Sequence, residues 1–188
     1  MKLALAQPLT DGRVKLRWMR DGDVAACVRA FRDDPDLGRL IGVERDPDEA
    51  GLRERISRQQ ERAAEGARIH LAIADADSDV FWGSMSLHSF DWHSRRAEVG
   101  FWLVPAARGR GVASAAVTLA LSWAFETYDL LRMEMTTTPE NPAVPVLARR
   151  LGFIEEGVLR ARNVERGKRV DIMWFGLLRE EWRGVGTE

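Results

Sequence analysis

The segment Val104-Pro105-Ala106-Ala107-Arg108-Gly109-Arg110-Gly111-Val112-Ala113 holds the residue types whose spacing most directly implies chemistry. An apolar stretch over 99–104 ends at a proline, two glycines alternate with arginines, and a long apolar run continues to Phe125. Glycines let the backbone turn its N–H groups inward, and a new helix points its free N–H groups and positive dipole end at the same spot. Arg108 and Arg110 add formal positive charge. The chemistry so described is the binding of a phosphate or pyrophosphate. The loop is not a Walker A loop, because the Gly-x-x-x-x-Gly-Lys spacing is absent. Nor is it a dinucleotide fingerprint, since Ser114 stands where a third small apolar residue belongs. Taken alone, it also fits an ordinary strand-to-helix turn with solvated arginines.

The elements that must position this loop can be read from periodicity. Residues 13–18 alternate polar and apolar as a half-buried strand does. Asp21 to Asp23 offer N-cap oxygens to a helix carrying Val24, Cys27, Val28 and Phe31 at helical spacing, and Asp33-Asp34-Pro35-Asp36 closes it. A second helix is expected from about Asp46 to Gly66, with one solvated face that could line a substrate entrance. Strands follow over 69–74, 80–87 and 97–104. Next comes a helix from the glycine loop to Phe125, buried nearly all round, whose Ala116, Ala120 and Ala124 permit close approach to a sheet. A strand over 131–137, a short helix entered at Pro142 and ended by Gly152, and a strand pair over 153–162 and 170–177 complete the chain. The order predicts a mixed α/β (α+β) domain of six or seven strands and about four helices.

Composition bounds the function. With 188 residues, 45% of them apolar, the chain suits one well-buried domain over 1–188 with a core of about 13–182. A net charge of −1 gives no global attraction to nucleic acid or to an anionic membrane. The single cysteine, Cys27, fits a reducing cytoplasm, and no apolar run approaches the roughly 20 residues of a membrane span. Three scattered histidines with one cysteine do not make a zinc site, so no metal is expected.

The constellation around the loop resembles the Gcn5-related N-acetyltransferase (GNAT) superfamily. Arg108-Gly109-Arg110-Gly111-Val112-Ala113, Asn141 and Leu151-Gly152-Phe153 match its pattern. The residues Ala97 to Leu103, Glu140-Asn141-Pro142-Ala143, Glu156-Gly157 and Leu178 to Trp182 look like its RimJ/RimL-type branch. The resemblance implies acetyl-CoA or another acyl-CoA as the donor. Backbone N–H groups from Arg108, Gly109, Arg110, Gly111, Val112 and Ala113 would cradle its pyrophosphate. The strand Phe101, Trp102, Leu103 and Val104 would splay from its neighbour and bond the pantetheine arm, and Asn141 would steady that arm, cap the following helix, or do both.

Transfer to an amine needs a neutral nucleophile, a stabilised carbonyl oxygen and a route for the leaving thiolate. Glu98 occupies the place where such enzymes often carry a base. It would alternatively pair with Arg95, Arg96 or a cross-strand residue. His88 is the second candidate, able to titrate near neutrality, and the N–H around Leu103 would meet the oxyanion. The chain departs from the family where an acid is often found: Ala148 stands at the usual tyrosine and Val144 at the usual serine. That departure keeps open a silent acyl-CoA sensor beside an enzyme acting on a protein N-terminal or small-molecule amine. Trp18, Trp123 and Trp174 read as core, whereas Trp82, Trp92 and Trp102 either line the acceptor cleft or pack a homodimer seam.

Overall fold

The structure, a computed structural model, describes residues 1–184. In chain order the elements are β1 (Leu9–Thr10), β2 (Val14–Trp18), α1 (Val24–Asp33), α2 (Leu37–Leu40), α3 (Glu49–Ser57), α4 (Gln59–Ala64), β3 (Arg68–Asp75), β4 (Phe81–Asp91) and β5 (Arg96–Leu103), then α5 (Val112–Tyr128), β6 (Arg132–Thr137), α6 (Ala143–Arg150), β7 (Ile154–Glu165) and β8 (Lys168–Leu178). One eight-stranded sheet runs β1-β2-β3-β4-β5-β6-β8-β7. Every neighbouring pair is antiparallel except β5 and β6.

Three elements exceed the sequence expectation. β1 and α2 have two and four residues, too short for any periodicity to register. The expected helix over 46–66 is two, because the backbone leaves helical geometry at Arg58. There Gln59 turns its amide back onto β2, accepting from Met19 N–H at 3.2 Å and donating to Met19 C=O at 2.8 Å.

Strand alternation sends the two faces of the sheet to different tasks. Ile69, Leu71, Ile73, Met85, Leu87, Ala97, Val99, Met133 and Met135 pack with α5 in the main core. Ala116, Ala120 and Ala124 are at most 1% exposed, so α5 lies against the strands with no room for a larger side chain. The opposite face carries His70, Ser84, Ser86, His88, Glu98 and Thr136, and is roofed by α1 and the segment through α3.

The roof is pinned at the start of α1. Arg17 and Asp23, 3% and 5% exposed, form a two-pronged pair at 2.7 and 2.9 Å, and Arg17 Nε also reaches Asp79 at 2.8 Å. Asp23 therefore does not cap α1 as expected. Its carboxylate is held by Arg17 and by the Arg20 N–H at 2.8 Å. Losing Arg17 would strand the buried Asp23 carboxylate, at a cost of about 3–5 kcal/mol, whereas losing Asp23 leaves Arg17 its Asp79 partner.

Candidate active site

β5 and β6 are register partners only at Arg96↔Arg132, Ala97↔Met133 and Glu98↔Glu134. Beyond Glu98, β5 stays with β4 and β6 with β8, so a gap opens between the parallel strands. Val104 N–H donates to Trp82 C=O at 2.8 Å, toward β4. By the two-residue alternation of a strand, the N–H groups of Leu103 and Phe101 face the gap. β4 can follow β5 this closely because residue 83 is glycine. A Cβ there would collide with Trp102 C=O and stand 2.9 Å from Leu103 Cα.

β5 leads through Pro105–Ala107 into the glycine loop. Gly109 and Gly111 take left-handed φ values of 70° and 76°, and Gly111 enters α5 with no side-chain cap. Among the described residues, the backbone N–H groups from Gly109 to Ser114 donate to no protein acceptor. Arg13 donates to the Arg110 C=O. The two arginines are partly occupied. Arg108 donates to Leu103 C=O at 3.0 Å and to Asp34 at 2.6 Å, and the Arg110 guanidinium lies 5.5 Å from the Trp82 ring centre.

On the roofed face lies a cavity of about 850 Å³, lined by Glu98, His88, Phe101, Trp102 and Asn141 among others. Leu103, Val104 and residues 108–113 lie outside its wall, past the end of β5. Glu98 stands beside His88, its register partner on β4, with Nδ1 3.9 Å from Oε2. It accepts from the Thr136 hydroxyl and has no arginine partner. Arg96 goes instead to Glu134 at 3.0 Å. Burial pushes the Glu98 carboxyl up, the Thr136 hydrogen bond opposes this, and the neighbouring Glu134 adds to it. Burial brings His88 down to about 4, so it is a neutral imidazole at physiological pH rather than a group titrating near neutrality. Its ring lies over Gly100, where a Cβ would meet Nε2 at 3.3 Å.

Thr137 and Thr138 were not singled out from sequence, yet both line the cavity with buried hydroxyls that have no partner among the described residues. Thr136 was missed as well. The signal for it was its place two residues after Glu134 on a strand, hence on the same face. Asn141 reaches the cavity but does not cap α6, whose N-cap is Pro142. Val144 lines the cavity and Ala148 is fully buried, so neither expected acid position carries a hydroxyl. Cys27 also reaches the wall, with its thiol pushed up to about 11 by burial.

The family model for the acetyltransferase (GNAT) domain matches residues 13–154. The chain belongs to the GNAT family. The chain is 33% identical over 102 residues to the putative ribosomal N-acetyltransferase YdaF of Bacillus subtilis, covering 54% of this chain and 56% of that one. The chain thus spans little more than half of that relative's length. An uncharacterized N-acetyltransferase, p20 of Bacillus licheniformis, is 29% identical over 172 residues, 92% of this chain and 96% of that one. Mycobacterium smegmatis RimJ, solved in complex with CoA-disulfide, superposes with a TM-score of 0.78 at 25% identity, covering 93% of this chain and 87% of that one.

Against this GNAT frame the tryptophans are redistributed. Trp82 is 9% exposed in the main core, and Trp92 stacks on Phe90 with ring centres 4.7 Å apart and donates to Gly66 C=O at 3.1 Å. Neither faces the cavity. Trp102 does, set edge-on between Phe31 and Phe81, and Trp174 lines the wall instead of filling the core.

Proposed function

We propose that this GNAT chain transfers an acetyl group from acetyl-CoA to a primary amine, by direct attack within a ternary complex. The observation that carries the reading is the gap between β5 and β6 leading to six N–H groups, over 109–114, that have no protein acceptor among the described residues. Backbone donors of that kind suit a pyrophosphate. The gap suits the pantetheine arm, which would bond the free edge of β5 as an added strand does. On the β6 side the Thr137 and Thr138 hydroxyls and Asn141, all on the cavity wall, would meet its amides.

The thioester would then lie along the free edge of β5, where a single backbone N–H, that of Phe101 or Leu103, meets the carbonyl oxygen as negative charge grows on it. The amine gives up a proton to Glu98, directly or through the neighbouring neutral His88. Its nitrogen forms the C–N bond, the C–S bond breaks, and CoA departs as thiolate. A thiol of ordinary acidity leaves without help from an acid, so Ala148 and Val144 are compatible with turnover. A covalent relay through Cys27 is disfavoured. With a pKa of about 11, only about one thiol in ten thousand is ionised at pH 7.

Titration calorimetry with acetyl-CoA, followed by thiol release over an amine panel, tests the reading. Binding together with acceptor-dependent release is expected. Binding without release from any acceptor would favour the silent sensor.

A further inference from the structure

Four arginines reach the cavity wall: Arg45, Arg55, Arg68 and Arg162. Among the described residues, none of their guanidinium groups has an ion-pair or hydrogen-bond partner. Elsewhere Arg39, Arg53 and Arg166 each hold a carboxylate, and Arg29, Arg62, Arg150 and Arg160 are also unpaired among the described residues; what sets these four apart is that they share one wall. Among the described residues, the carboxylates on the wall are Glu98 and Glu165.

Register places this charge at the acceptor end. Arg68 pairs with His88, and His88 pairs with Glu98, so Arg68 stands two strand spacings, roughly 10 Å, from the Glu98 backbone. Arg55 lies close enough to His70 and Cys27 to bias the titration of both. The donor loop is at the other end of β5, since five residues from Glu98 to Leu103 span about 17 Å. A base that receives the amine proton is thus flanked by unpartnered cations on the side away from the donor.

Resting on the acetyltransferase reading, we propose that the acceptor is an amine that also carries a carboxylate, held by Arg55 and Arg68 while its nitrogen faces Glu98 and His88. A polycationic acceptor would instead meet four like charges. The carboxylate can belong to a free amino acid or to an acidic residue at a protein N-terminus, and the chemistry is shared.

The test compares kcat/KM for matched acceptors: glutamate and its diamide, C-terminally amidated tetrapeptides beginning with Glu or Gln, and spermidine. An acidic member favoured at least 10-fold in either pair supports the proposal. Preference for glutamate over its diamide identifies a free amino acid, and preference for the Glu peptide over the Gln peptide identifies a protein terminus. Arg68→Ala and Arg55→Ala are each expected to shrink the preferred ratio about 10-fold, with Arg68→Lys retaining most of it and acetyl-CoA affinity serving as the folding control. Spermidine or the neutral members matching the acidic ones overturns the proposal and leaves the transferase reading standing, as does an Arg68→Ala effect equal on both members of a pair. Acetyl-CoA binding with no transfer to any acceptor overturns both.

Discussion

Glu98 and Glu134 are register partners on parallel strands, and only one of them is given arginines. Glu134 takes Arg96 at 3.0 Å and Arg132 at 2.9 Å, while Glu98 has the Thr136 hydroxyl and the nearby His88. The difference separates a structural carboxylate from one free to accept a proton. Burial raises Glu98, and Glu134 raises it further. Glutamine at position 98 keeps the shape and removes the proposed base. Glu98→Gln is expected to lower kcat about 100-fold or more with acetyl-CoA affinity nearly unchanged, as steady-state kinetics and calorimetry would report.

Thr136 stabilises the charged form of Glu98, so its removal has a signed consequence. Because the carboxyl is raised, the acid limb of kcat/KM lies above the ordinary value of 4.5. Thr136→Val moves that limb to still higher pH. A limb that stays in place would take Glu98 out of the proton path.

Gly111 separates backbone strain from anion repulsion. A Cβ on it would have only the Arg13 guanidinium near, at 3.5 Å, so the difficulty for alanine is the left-handed φ of 76°. Gly111→Ala is expected to lose about 1–2 kcal/mol of stability and still bind acetyl-CoA. Gly111→Glu adds bulk and negative charge among the free N–H groups, and no heat of binding is expected in calorimetry.

Gly83 carries a purely steric prediction. A side chain there meets Trp102 C=O and Leu103 Cα, so β5 must move off β4. Gly83→Ala should lower the urea midpoint by an amount equivalent to about 2 kcal/mol or more. It should also weaken acetyl-CoA binding, because the displaced strand borders the gap.

Two histidines make stability depend on pH. Burial brings both His70 and His88 to about 4, against 6.5 for the ordinary side chain. Between these values the unfolded chain binds up to two more protons than the folded one. Their contribution is therefore complete above pH 6.5 and lost as pH falls toward 4, at most about 2.7 kcal/mol per pH unit. Glu98, raised on folding, acts in the opposite sense over its own range, its share present below 4.5 and lost as pH rises. Urea midpoints at pH 7.5 and 5 should differ clearly, and His70→Gln should flatten the difference.

The parts that could be read from sequence were those governed by local rules. The glycine loop and the largely apolar α5 follow from backbone freedom and periodicity, and they appear at the expected places. Placing Glu98 beside His88 needed cross-strand register, which a sequence states only weakly. Trp82 misled for the same reason: it and Trp102 read as residues of the cleft or of a dimer seam, but irregular pairing between Ile73 and Ala74 and the close approach at Gly83 turn Trp82 into the core, while Trp102 lines the cavity. Thr137 and Thr138 left no trace, because a threonine at a strand end is ordinary until its hydroxyl is found buried and alone.

The Arg108–Asp34 ion pair joins two regions that chain order keeps far apart. Asp34 ends α1, whose Cys27 and Phe31 form part of the cavity roof, and α1 is anchored at its other end by Asp23 and Arg17. The helix is thus a beam resting on two supports, one of which is the arginine of the anion loop. An anion that competes with Asp34 for Arg108 removes a support. That end of α1 then keeps only its apolar packing, through Ala30 and Phe31, so the donor loop and the roof of the acceptor side share one ion pair between them.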